Sequence, residues 1–219
     1  MVLGQELLRS NRYKEWYCAA HERGDFIIVD NGAAERDTPP FTKIVDAANA
    51  IGADEIIMPD RLGDREATAE LLKQHASQVQ PTRRMVVPQG RSVDEWFQSL
   101  EELTAIARFT TIGVPKHLEQ VPGGRHAVLG RLVLLGYSNM YQIHLLGIGG
   151  IPKQEVEAYS GYTFVRGWDT GAPIAYAQEC CRITAPVRHS LDWDKEVTDW
   201  DLLDRNIQWM NSKLCWGGL

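Results

Sequence analysis

Cysteine is scarce in this chain and never paired as Cys-x-x-Cys: Cys18, Cys180, Cys181 and Cys215 are the only four in 219 residues. That excludes a disulfide-stapled scaffold and leaves reduced thiols in a cytoplasm as the expectation. Long apolar runs are absent as well. No stretch approaches the ~20 residues a membrane helix needs, and the opening "MVLGQELLRSNRYKEW" has no uninterrupted apolar segment. A soluble, unprocessed protein with no membrane partner is expected. A basic surplus is missing too: the formal charge is −6, so bulk electrostatics alone would not hold nucleic acid, although a local basic groove would. The six histidines form no His-x-x-x-His or His-x-His pair, and Cys180 and Cys181 are adjacent rather than spaced for tetrahedral zinc. Neither a metal nor a cofactor is indicated.

What the chain does contain is a recurring unit. Short, near-continuously apolar runs appear at "FIIVDNGAAE", "EIIMPD", "RMVVPQG", "TTIGVPK", "IHLLGIGG" and "TFVRGWDT". Strands buried on both faces have this character. Between them stand helical patterns, among them "FTKIVDAANAIG", "DREATAELLKQHAS" and "SVDEWFQSLEELTAIA", some opening on cap residues such as Asp64 or Ser92 with Glu95. Alternating strands and helices pair in parallel with right-handed crossovers. Further strands at "EWYCAA" and "CRITAP" would bring the count near eight, so an α/β chain with a single TIM-type (β/α)8 barrel domain over residues 1–219, complete or abbreviated, is expected ahead of a doubly wound open sheet. The tail, with Trp193, Trp200, Trp209 and Trp216 at near-heptad steps, predicts a tryptophan-rich C-terminal helix packed outside the barrel.

Polar residues close the strands: Asp30, Asp60, Gln89, Lys116 and Asp169. In a parallel α/β barrel this is where chemistry resides. Each aspartate taken singly serves equally well as a cap or turn former, since Asn-Gly follows Asp30 and Arg-Leu-Gly follows Asp60. Three carboxylates and an amide at strand ends supply a nucleophile, a proton carrier and an acceptor for a base edge, which is the inventory of an enzyme acting at a glycosidic bond. The run "GIGGIPKQE" before a helix suits either an anion cradle or a simple proline-led helix start; it is neither a Walker nor a dinucleotide motif. Of the basic residues in mid-chain, Arg91, Lys116 and Arg125 are the candidates for a nucleic-acid track. His144 reads as a core or mouth residue rather than a ligand.

This set of strand-end residues resembles the tRNA-guanine transglycosylase superfamily, in motif order from about residue 26 to residue 178. Asp30 in "VDNGAA" is similar to the aspartate of the family's Asp-Ser-Gly-Gly-Phe motif, a general acid/base. Asp60 looks like the aspartate that reads the exchanged base, and Gln89-Gly90 in "VPQG" like the Gln-Gly base-binding pair. Gly113 falls where the family places a glycine-rich strand end. "IHLLGIGGIPKQ" resembles the Leu-x-Gly-x-Gly-x-Pro segment, and Asp169 in "RGWDTGAP" takes the place of the nucleophile. Two departures matter: Ala34 stands where the family has a base-stacking aromatic, which leaves Trp168 to sandwich the base, and the zinc-binding Cys-x-Cys-x-x-Cys insertion is missing.

The compact length looks like the DpdA-type DNA-guanine transglycosylases of phages and bacterial islands. The resemblance implies exchange of guanine in DNA for a 7-deazaguanine, preQ0 or a derivative, in a bacterial or phage-infected host cytoplasm. Asp169 and Asp30 would be catalytic and Asp60, Gln89, Gly90, Gly113 and Trp168 base-binding. A homodimer or an auxiliary DNA-binding partner is left open. The competing expectations are a tRNA-directed enzyme of the same family, a glycosidase or phosphate-binding isomerase, and a non-catalytic nucleic-acid-binding barrel.

Overall fold

The computed structural model describes residues 1–33, 39–148, 151–192 and 194–213. The chain is an α/β protein with a seven-stranded sheet whose order, β1 to β7, is that of the sequence. Pairings from β1 through β5, and of β6 with β7, are parallel. Residues 1–113 with 118–124 form one compact unit, and residues 114–117 with 125–219 form another.

In the first unit β1 (Val2–Leu3) pairs with β2 (Ile28–Asp30), which is followed in turn by β3 (Glu55–Ile57), β4 (Arg84–Val86) and β5 (Thr111–Val114, as far as Gly113). The helices are α1 (Gly4–Arg9), α2 (Asn11–Glu22), α3 (Phe41–Ala50), α4 (Arg65–His75) and α5 (Val93–Ile106). Strands β3 to β5 are buried throughout, including the polar residues Glu55, Arg84 and Thr111 with which they begin. Ile44 and Ala48 of α3 and Trp96 and Leu100 of α5 are likewise closed to solvent in the core. Each fully buried leucine or isoleucine there contributes about 1.5–3 kcal/mol. The caps act as the sequence predicts: Asp64 accepts from the Ala67 N–H at 3.0 Å, and Ser92 Oγ from the Glu95 N–H at 3.1 Å. Glu95 Oε2 reaches back to the Arg91 N–H at 2.7 Å, one residue earlier than the usual capping box, so the Arg91 backbone is committed to the start of α5.

In the second unit are α6 (Gly124–Leu134, from Arg125 onward), α7 (Tyr137–Met140), β6 (Gln142–Leu145), α8 (Pro152–Tyr159), β7 (Val165–Trp168), α9 (Ala172–Gln178) and α10 (Trp200–Asn211). The core gathers Val128, Leu129, Leu132, Ile143, Leu145, Val156 and Tyr176. The β6–β7 ladder contains a bulge: Ile143 faces Val165, but His144 faces Gly167, so Arg166 is the extra residue.

All six strands read directly from the sequence are present, and two supplementary ones are not. "EWYCAA" lies inside α2, where Ser10 caps the helix by accepting from the Tyr13 N–H at 3.2 Å; Glu15, Trp16 and Ala19 are exposed and Ala20 is buried, a helical rather than an alternating pattern. "CRITAP" is turn and coil, pinned by the Ile183 N–H donating to Asn206 Oδ1 at 2.9 Å. The first strand is instead Val2–Leu3. The C-terminal helix also differs from expectation. It packs on α9 through Leu202, Leu203, Asn206 and Met210, whereas Trp200 is 66% exposed. Asn206 is buried in that stripe with its amide bridging the Pro173 and Cys181 carbonyls at 3.4 and 3.2 Å, and Trp209 is half-buried. Trp193 and Trp216 lie outside the described residues, as do Ala34, Gly149, Gly150 and Cys215. Among the described residues no helix is long and apolar enough to cross a membrane.

Candidate active site

Parallel strands put their carboxy-terminal ends on one edge, so within the first unit β2, β3 and β4 deliver Asp30, Asp60 and Gln89 to the same side. Asp60 is the centre of this group. Its Oδ1 accepts from Asn31 Nδ2 at 2.7 Å and its Oδ2 from Gln89 Nε2 at 2.5 Å. Both amides are fixed in orientation by backbone. Asn31 Nδ2 also donates to the Met58 carbonyl at 2.6 Å while its Oδ1 accepts from the Ala33 N–H at 2.6 Å. Gln89 Oε1 accepts from the Gly63 N–H at 3.0 Å, and the Gln89 N–H donates to the buried Ser99 Oγ at 3.1 Å. Neither amide can flip without stranding a donor or an acceptor.

Burial pushes the Asp60 carboxyl up to about 6. The Asn31 hydrogen bond opposes this, the negative charge of Asp30 adds to it, and the Gln89 bond opposes it again. Asp30, half-buried at the end of β2, accepts the Gly32 N–H at 3.3 Å on its Oδ1. Gly90 owes its identity to packing. A Cβ there would lie 2.5 Å from the Trp96 nitrogen and 2.8 Å from the Glu95 carbonyl carbon, so only glycine lets the chain turn from Gln89 into α5. Gly113 is buried inside β5, and Arg91 is exposed.

The second unit carries the other group. Asp169 follows β7 directly; its N–H donates to the Leu145 carbonyl at 3.2 Å, and its own carbonyl accepts from the Ile148 N–H at 2.9 Å. Asp169 Oδ1 accepts from the Gly147 N–H at 3.0 Å. Gly147 has a φ of +69°, which is open to glycine and costly for other residues, and its missing side chain leaves room for the stem of Lys116, 3.3 Å from where a Cβ would be. Burial lowers the Lys116 pKa; Glu155 raises it, Arg188 and Arg125 lower it, and Asp169 raises it. The imidazole of His144, on β6, stands with Nε2 3.7 Å from Asp169 Oδ1. Trp168, opposite Leu145, is half-buried.

Arg125, expected on a nucleic-acid track, is fully buried. Its Nε donates to the Pro115 carbonyl at 3.3 Å, and its Nη2 to the Leu146 carbonyl and, at 3.2 Å, to that of Gly147. It holds the loop after β6 in place rather than facing outward. Lys116 is partly accessible and Arg91 exposed, so both remain open to phosphate.

Two contributors escaped the sequence reading. Asn31 looked like turn chemistry after Asp30, although its Asn-Gly context does serve that end through the Ala33 bond. His144 read as a core or mouth residue without a role, and the register of the bulge sets it beside Asp169. No protein-family model matches the chain, and no curated protein matches it.

Proposed function

We propose that the protein is a base-exchanging glycosyltransferase that replaces guanine in DNA with a 7-deazaguanine such as preQ0. The observation that carries this reading is the Asp60 group: a desolvated carboxylate gripped by two amides that cannot turn, with further acceptor capacity on each oxygen. An N1–H beside an exocyclic amine, as guanine and 7-deazaguanines present, satisfies such an acceptor. Adenine offers an unprotonated N1 there and would leave it unpaired.

In this reading Asp60 and Gln89 hold the base, Gly90 and Gly113 are further base-binding positions, and Trp168 is the stacking candidate. Asp169 is the nucleophile. Its carboxylate forms a bond to C1′ as the bond to guanine N9 breaks, the electron pair leaves with the purine, and the incoming base reverses the step with retention at the sugar. Asp30 carries the proton to the departing purine and from the arriving one. The nucleotide must leave the stack to be reached. Arg91 and Lys116 offer phosphate contacts, and either a second copy of the chain or an auxiliary protein would supply further DNA affinity. The reading brings with it an abbreviated (β/α)8 barrel.

The test is mass spectrometry of nucleosides from DNA incubated with the protein and preQ0, beside an Asp169→Ala variant and a tRNA substrate. Incorporation into DNA that the variant loses is the expected result. Incorporation into tRNA alone would transfer the activity to RNA, and failure of the folded protein to bind preQ0 would overturn the reading.

A further inference from the structure

His144 is the one imidazole whose two ring nitrogens are both buried without a hydrogen-bond partner among the described residues. Its side chain is 6% exposed. A dry, unpaired polar group is costly, so a buried imidazole left in this state calls for a partner that closes on it. Among the described residues the carboxylate of Asp169 faces it, with Oδ1 3.7 Å from Nε2. The other nitrogen, Nδ1, abuts Gly167, where a Cβ would sit 3.3 Å away.

The bulge in β7 creates this arrangement. In an unbroken ladder the pairing of Ile143 with Val165 would set Arg166 across from His144; with the bulge, Gly167 takes that place and the ring has room. Since Nε2 faces an acceptor and Nδ1 faces a glycine, the ring proton belongs on Nε2. A shift of roughly 1 Å brings Nε2 and Oδ1 to hydrogen-bond distance. Contacts of this kind commonly tighten when substrate binds.

We propose that His144 is a positioning residue for Asp169. Its Nε2–H and the Gly147 N–H both donate to Oδ1, so the carboxylate is oriented with Oδ2 free. Among the described residues Oδ2 accepts no hydrogen bond. This rests on the base-exchange reading in one respect, that Oδ2 is then the attacking oxygen. Oδ2 bonds to C1′, the base departs with the electron pair of its bond, and the His144 proton stays on Nε2 throughout.

Two measurements test the pair. The first needs no activity: nitrogen-15 NMR of the imidazoles, with His144 assigned by its loss in His144→Gln, is expected to show the Nε2–H form with a proton protected from exchange, and to lose that protection in Asp169→Ala. An Nδ1–H form, or protection unchanged by Asp169→Ala, would overturn the proposal. The second is exchange kinetics. His144→Phe is expected to lower kcat on the order of 100-fold with KM for the base unchanged, because the nucleophile is misaligned while the base pocket is intact. His144→Gln, which keeps an N–H donor, recovers part of the loss. Gly167→Ala, which presses on the ring and leaves its chemistry alone, should also reduce kcat. Equal kcat in all three folded variants would overturn positioning. Absence of exchange by the wild-type protein would defeat the transglycosylase reading alone, and the NMR result would still decide the pair.

Discussion

Asp60 yields the prediction with the most definite magnitude. Its carboxyl, ordinarily near 3.8, titrates at about 6 in the folded protein, chiefly because burial penalises the charge. The folded chain therefore holds this proton more tightly than the unfolded chain does. Stability from this group is complete below about pH 4 and is lost as the pH rises through about 6, the reverse of a salt-bridged carboxylate. A difference of about two pKa units corresponds to roughly 3 kcal/mol. The perturbation is Asp60→Asn, which removes the titration. At acid pH the wild type should be the more stable of the two. Its protonated carboxyl still has a lone pair on each oxygen for Asn31 and Gln89, whereas the asparagine NH2 would meet one of two locked donors and strand it at a cost of about 1–3 kcal/mol. Urea unfolding of both proteins from about pH 4 to about pH 7 should show the wild type losing roughly 3 kcal/mol relative to the variant. Taking the difference cancels the other carboxylates. Parallel stability curves would refute both the burial of this charge and its place at the centre of the site.

Two further outcomes follow from packing. Gly90→Ala should destabilise the fold by about 1–3 kcal/mol, since the new Cβ would strike backbone atoms of α5 rather than a side chain that can turn away. An unchanged urea midpoint would show that α5 can shift. Arg125→Met should cost about 2–4 kcal/mol by leaving the carbonyls of Pro115, Leu146 and Gly147 unsatisfied. A variant with wild-type stability and weakened DNA binding would instead assign Arg125 to the nucleic acid.

Strands β2 to β7 were legible because a parallel strand in the sheet interior is rich in apolar residues, although β3, β4 and β5 also bury Glu55, Arg84 and Thr111, and the polar residue after each run was legible as the end of the apolar pattern. Caps at Asp64 and Ser92 are local chemistry and could be read within a few residues. By contrast, "EWYCAA" has strand-like composition but lies behind a capping serine in a helix, and a two-residue strand such as Val2–Leu3 carries too short a pattern to read. Arg125 looked like a loop cation open to nucleic acid because cations in loops are usually solvated; its burial is possible because the carbonyls of Pro115 and of the adjacent Leu146 and Gly147 accept its hydrogen bonds.

The linear chain thus determines the six central βα units, the residues that close their strands, and that Asp30, Asp60, Gln89 and Asp169 follow strands, since each depends on neighbours a few positions away. Which amide locks Asp60, how far burial lifts its pKa, and that His144 lies against Asp169 depend on strand register and on a single extra residue, Arg166, in one strand. A shift of one position in a ladder exchanges one facing residue for another, and no local pattern records it.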